Sequence, residues 1–198
     1  GESSACQGCP SNTGQAGESC AGFAQAILPH NIKNIIAVLS GKGGVGKSSV
    51  TALLASALNK KGLKVGIMDA DITGPSIPKI TGVQGRVSGD GEHILPKETS
   101  EGIKVISINL MLDDEASPVV WRGPIVSNLI QQFWTEVNWG DLDVLLIDMP
   151  PGTGDVPITI FQSIPVDGIV MVTMPQDLVG LIVKKAVNMV KLVDIPIL

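Results

Sequence analysis

The 198-residue chain has no cysteine after position 20. Cys6, Cys9 and Cys20 are all there are, and all lie near the start. An odd count argues against a closed disulfide framework, and the globular part makes no use of cysteine in its core. Basic residues are not in excess: 14 Lys and Arg against 19 Asp and Glu give a formal charge of −5. That leaves no electrostatic footprint for nucleic acid or for an anionic membrane. No apolar run approaches the roughly 18 residues that a membrane-spanning helix needs. The chain does not open with a basic segment followed by an apolar one, so no secretory signal is read and a cytoplasmic protein is expected. Gly1 as first residue points to a processed or engineered start. No internal repeat is present. What remains is a chain with 44% apolar residues, enough for one real core.

The organisation changes near residue 32. Residues 1–31 are rich in Gly, Ser, Gln and Ala and are expected to form a flexible, cysteine-containing arm. Residues 32–198 alternate apolar runs with helical patterns. Strands are expected at 35–39, 64–69, 103–109, 143–148 and 167–173. Helices are expected at 47–61, 124–137, 157–164 and 177–192. Residues 72–102 hold many Gly and Pro and read as loops with short elements. Residues 195–198 read as the start of a last strand, so a further segment is expected beyond Leu198. Continuous apolar strands separated by helices predict an α/β fold of three layers, a mainly parallel sheet with helices on both faces. Ligands in such sheets sit at the carboxyl ends of the strands.

The stretch Gly41-Lys42-Gly43-Gly44-Val45-Gly46-Lys47-Ser48 lies between an expected strand and an expected helix, the context a phosphate-binding loop requires. Its glycines let successive N–H groups turn toward one centre, and the helix N-terminus adds partial positive charge. Lys47 can reach the β- and γ-phosphates of a nucleotide, Ser48 can hold Mg²⁺, and the cradle extends from Gly43 to Ser49. Acids fall at the strand ends on the same rim. These are Asp69-Ala70-Asp71, Asp148 after Val144-Leu145-Leu146-Ile147, and Asp155 in Pro150-Pro151-Gly152-Thr153-Gly154-Asp155. Mg²⁺ prefers such hard oxygen ligands, and an acid near the phosphates can orient an attacking water. Each acid can also be a cap or turn residue. Gly152 would let the backbone swing toward a γ-phosphate.

Lys42-Gly43-Gly44-Val45-Gly46-Lys47-Ser48 resembles the deviant Walker A loop of the MinD/ParA-type ATPases. Asp69-Ala70-Asp71-Ile72-Thr73-Gly74-Pro75-Ser76, Trp121-Arg122-Gly123-Pro124 and Asp148-Met149-Pro150-Pro151-Gly152-Thr153-Gly154-Asp155 narrow the resemblance. Together they are similar to the Mrp family of iron–sulfur cluster carrier ATPases, over roughly residues 32–198. The resemblance implies a P-loop NTPase fold and a homodimer or heterodimer that binds and slowly hydrolyses ATP. It implies that Lys42 reaches the nucleotide of the opposite subunit, Asp71 positions the hydrolytic water and Asp148 supports Mg²⁺. It also implies apoprotein acceptors for the cluster. In the family a Cys-x-x-Cys pair and an adenine-reading Asn lie beyond the segment that ends here. Trp121 reads as a core residue.

Cys6-Gln7-Gly8-Cys9 has the two-residue spacing of thiolate sites. It resembles the cluster-binding extension found in part of the family, with Cys20 as a third ligand where the family has four cysteines. Soft thiolates suit an iron–sulfur cluster, of the 4Fe-4S type in this family, or zinc. The other reading is free thiols in a polar tail. His30 and His93 read as loop residues. A positioning ATPase of the MinD/ParA class is the first rival, and the acidic charge and the cysteine arm weigh against it. An electron-transfer reductase like the nitrogenase iron protein would need cysteines inside the globular part. A non-enzymatic adaptor would not need Lys47, Ser48, Asp71 and Asp148 together.

Overall fold

A computed structural model of the chain describes residues 31–71, 74, 76–89, 93–111, 123–175 and 181–198. Cys6, Cys9, Cys20, Trp121 and Arg122 lie outside the described residues. In chain order the elements are β1 (Asn31–Ile32), β2 (Ile35–Ser40), α1 (Lys47–Lys60), β3 (Val65–Asp69) and α2 (Ile77–Thr81). Next come β4 (Ser88–Gly89), β5 (Ile94–Leu95), β6 (Lys97–Glu98), β7 (Lys104–Ser107) and a 3-10 turn (Ile108–Leu110). Then follow α3 (Gly123–Thr135), β8 (Asp141–Leu142), β9 (Val144–Asp148), α4 (Asp155–Ser163), β10 (Gly168–Val172) and α5 (Leu181–Leu192).

The main sheet has the order β10-β2-β9-β3-β7-β6. All its pairs are parallel except β6 with β7. Its central strands are apolar on both faces because helices cover both. On one face α1 and α2 bring Ala55 and Ile77 against Val65, Ile67, Val105, Val144 and Leu146. On the other, α3, α4 and α5 bring Phe133, Ile160 and Val190 against Leu39, Met68, Ile106 and Ile147. The α/β three-layer expectation therefore holds. At Gly66 in β3 the second face packs too closely for a side chain. A Cβ there would lie 2.7 Å from Leu142 Cδ1 and 3.0 Å from Trp139 Cζ3.

Boundaries differ from expectation for local reasons. The strand expected at 103–109 stops at Ser107, where the chain turns and the Met111 N–H donates to the Ile108 carbonyl at 2.9 Å. Helix α4 starts at Asp155, two residues early, which places Pro157 in the first turn, where a missing N–H costs no bond. Of the helix expected at 177–192, residues 177–180 lie outside the described set. Residues 195–198 do extend the sheet. The Ile169 N–H donates to the Pro196 carbonyl, and the Leu198 N–H to the Ile169 carbonyl, each at 2.9 Å.

Candidate functional site

The site grows from the end of β2. After Ser40 the chain turns through the glycines and enters α1. Gly44 and Gly46 have φ of +78° and +88°, a region that side chains rarely adopt. An added Cβ at either would meet nothing within 4 Å, so the loop leaves room at its centre. No acid occupies the first turn of α1. Its free N–H groups and partial positive charge therefore remain available to an anion. The Ser40 hydroxyl donates to the Lys42 carbonyl at 3.0 Å and steadies the start of the loop. Lys42 itself is exposed.

Strand parity and register bring the acids to this loop. Side chains alternate across a sheet. Val144 and Leu146 face α1, so Asp148 faces α1 as well; Val65 and Ile67 do the same for Asp69. The register pairs Asp69 with Asp148 on one side and with Ser107 on the other. Asp148 is fully buried. It accepts the Ser48 hydroxyl at 2.6 Å and the Thr51 hydroxyl at 2.8 Å. Lys47 is 5% exposed, with its Nζ 2.9 Å from Asp148 Oδ2 and 3.5 Å from Asp71 Oδ2. One buried cation thus stands against two acids at the mouth of the loop.

Asp69 has no exposure. Burial, reinforced by the nearby Asp148 charge, pushes its carboxyl up to about 7, against the pull of hydrogen bonds from Ser107 and the Asp71 N–H. On the far side of the loop, Gly152 has φ +92° and donates its N–H to the Ser40 carbonyl at 2.9 Å.

A cavity of about 510 Å³ opens here. Gly43, Gly44, Gly46, Lys47, Ser48 and Ser49 line one side, and Asp71, Gly74, Ser76 and Pro151 line the other. Val45 is half-buried in the loop. The cradle, its cation and its open helix terminus fit a polyphosphate. The Ser48 hydroxyl and the Asp148 carboxylate are hard donors that fit Mg²⁺, whose other ligands in such sites are water and phosphate oxygens. Among the described residues, no group of three or more His, Cys, Asp or Glu could hold a metal ion by itself. The structure thus brings Lys47, Ser48, Asp71 and Asp148 together as the motifs imply. Asp155 opens α4, and its side chain lies outside the described set. His93 lies in the loop before β5.

Three further residues belong to the site. Thr51 sits one turn after Lys47, and its hydroxyl, also bonded to the Lys47 carbonyl at 3.1 Å, fixes Asp148. Four-residue spacing from the loop lysine was its one sequence signal. Ser40 closes β2 and gives both its hydroxyl and its carbonyl to the loops. Asp69 is legible as the first acid of its motif, but its partners are not.

Over residues 31–198 the chain matches the ParA family, described as NUBPL iron-transfer P-loop NTPase. It is 50% identical over 167 residues to the iron-sulfur cluster carrier protein of Clostridium perfringens, covering 80% of this chain and 59% of that protein. It is 54% identical over 169 residues to the iron-sulfur cluster carrier protein of Methanocaldococcus jannaschii, covering 84% and 58%. Among solved structures, a nucleotide-binding protein from Archaeoglobus fulgidus in complex with ADP is similar, with a TM-score of 0.73 and 45% identity. That match covers 84% of this chain and 65% of the other. The chain spans less than two thirds of the length of these relatives.

Proposed function

The chain belongs to the iron-transfer P-loop NTPases, and from that premise we propose that it is the ATP-binding part of an iron–sulfur cluster carrier. In this reading it binds Mg-ATP, hydrolyses it slowly to ADP and phosphate, and delivers clusters to apoproteins in the cytoplasm. The observation that carries the reading is the convergence of Lys47, Ser48, Asp71 and Asp148 on one glycine loop. The names of the relatives supply the cargo.

Each residue has a role. The loop N–H groups from Gly43 to Ser49 bind the phosphates, and Lys47 leaves its carboxylate partners to contact the β- and γ-oxygens. Ser48 and Asp148 would hold Mg²⁺, Asp148 directly or through a water. When bound, the ion neutralises charge that develops on the phosphate oxygens. Asp71 orients the water that attacks the γ-phosphorus while the bond to the β,γ-bridging oxygen breaks. Lys42, exposed at the loop, reaches across a dimer to the partner's nucleotide and stabilises the same developing charge. Gly152 supplies the hinge that answers the γ-phosphate. Cys6 and Cys9, with Cys20 as a third thiolate, hold the cluster in the arm. Three thiolates leave a 4Fe-4S cluster one ligand short, which suits transfer better than storage.

Anaerobic reconstitution of the full-length protein with iron and sulfide tests the cargo. A broad Fe–S absorption band is expected, and Cys6→Ser/Cys9→Ser should diminish it. A double mutant with unchanged band and iron content would move the cluster away from the arm. No band in either protein, with ATP binding intact, would leave a nucleotide switch without this cargo.

A further inference from the structure

The segment that joins β3 to α2 walls the phosphate cavity with Asp71, Gly74 and Ser76. Both of its ends return to one side chain. Asp69 Oδ1 accepts the Asp71 N–H at 3.2 Å. Asp69 Oδ2 accepts the N–H of Ile77, the first residue of α2, at 3.4 Å. The Ser107 hydroxyl donates to the same Oδ2 at 3.1 Å, which fixes the carboxylate from the neighbouring strand. Ser76 precedes α2 but makes no side-chain capping bond, so Asp69 takes the cap's place from the sheet. Asp69 is fully buried and does not line the cavity.

We propose that Asp69 is a positioning residue for ATP hydrolysis: it clamps the two ends of the segment that carries Asp71, and so sets where the Asp71 carboxylate meets the attacking water. This rests on the reading of Asp71 as the water-orienting acid. The physical reason is geometric. A water held by one carboxylate must lie in line with the bond that breaks, and a misplacement near 1 Å costs about 100-fold in rate. Among the described residues, this carboxylate accepts a backbone N–H at each end of the segment. Phosphate binding depends on a different element, the glycine loop and Lys47. Loss of the clamp should therefore lower kcat and leave nucleotide affinity alone.

Asp69→Asn keeps the volume and one acceptor oxygen. Its NH₂ must face a donor at one end of the segment, Asp71 N–H or Ile77 N–H, whichever way the amide turns. Single-turnover hydrolysis and titration with a non-hydrolysable ATP analogue are measured on full-length protein. Asp71→Ala and Ser107→Ala are measured beside it. We expect Asp69→Asn to lose about 10- to 100-fold in kcat with the analogue's Kd within about threefold of wild type. Ser107→Ala, which keeps both backbone clamps, should lose less, with Kd again unchanged. A lowered Tm with wild-type kcat and Kd in Asp69→Asn would mean a cap and nothing more, and overturns the proposal. If Asp69→Asn does not fold, Ser107→Ala decides: a selective kcat loss supports the clamp, and an unchanged kcat overturns it. Full hydrolysis by Asp71→Ala would instead overturn the reading of Asp71 itself, and the clamp's role with it.

Discussion

Replacing Lys47 should damage the protein twice, and the structure separates the two effects. The ammonium is 5% exposed and stands 2.9 Å from Asp148 and 3.5 Å from Asp71. The first effect is on binding. A charge-assisted hydrogen bond to phosphate contributes about 2–3 kcal/mol, which corresponds to about 30- to 150-fold in Kd. The second is on the fold. Removing one partner of a buried ion pair costs about 3–5 kcal/mol, because the acids left behind are uncompensated. Lys47→Met keeps most of the aliphatic stem, so any loss it shares with Lys47→Ala belongs to the charge. Calorimetric titration with Mg-ADP gives the first effect, and urea unfolding without nucleotide gives the second. Affinities within about threefold of wild type in both variants would refute the assignment of Lys47 to the phosphates.

Three further outcomes are expected. Lys42→Ala should keep nucleotide binding and lose most hydrolysis, and mixing it with Asp71→Ala subunits should restore part of the activity through one intact composite site; confirmed heterodimers without restoration would count against action across the dimer. The Asp69 carboxyl, at 3.8 when unfolded, is pushed up to about 7 in the fold, so its stabilising contribution is complete below 3.8 and lost as pH rises through about 7. Relative to Asp69→Asn, wild-type stability without Mg²⁺ or nucleotide should fall between about pH 4 and 7, by on the order of 4 kcal/mol at most, and parallel urea curves at pH 5 and 7 would contradict this. Gly66→Ala forces a methyl against Leu142 and Trp139, so it should cost about 1–3 kcal/mol in thermal unfolding, with unchanged ADP affinity in the folded fraction.

The layer architecture was legible in the chain because its signals are local. Runs such as Val144-Leu145-Leu146-Ile147 are apolar at every position, which only a strand covered on both faces explains. The glycine loop was legible because its glycines, lysine and serine are contiguous, and their spacing alone creates the anion cradle. The placement of Asp69 and Asp148 on one face also follows from the two-residue period of a strand. Element ends were less legible. The early stop of β7 depends on a turn closed by backbone bonds, which Asn109 alone among apolar neighbours signals only weakly.

Register is what only the tertiary structure decided. Parity says which face a side chain takes, but not which residue of a distant strand stands beside it. Insertion of β9 between β2 and β3 sets Asp148 next to Asp69, although 79 residues separate them. The pairing of β3 with β7 puts Ser107 on the other side of Asp69, and Thr51 of α1 donates to Asp148 from the covering layer. Lys47 therefore meets two buried acids, Asp148 at the end of β9 and Asp71 just past the end of β3. The chemical parts are written in short motifs, because each needs only its own neighbours. Their mutual distances come from sheet order and hydrogen-bond register, which long-range pairing sets and no local stretch contains.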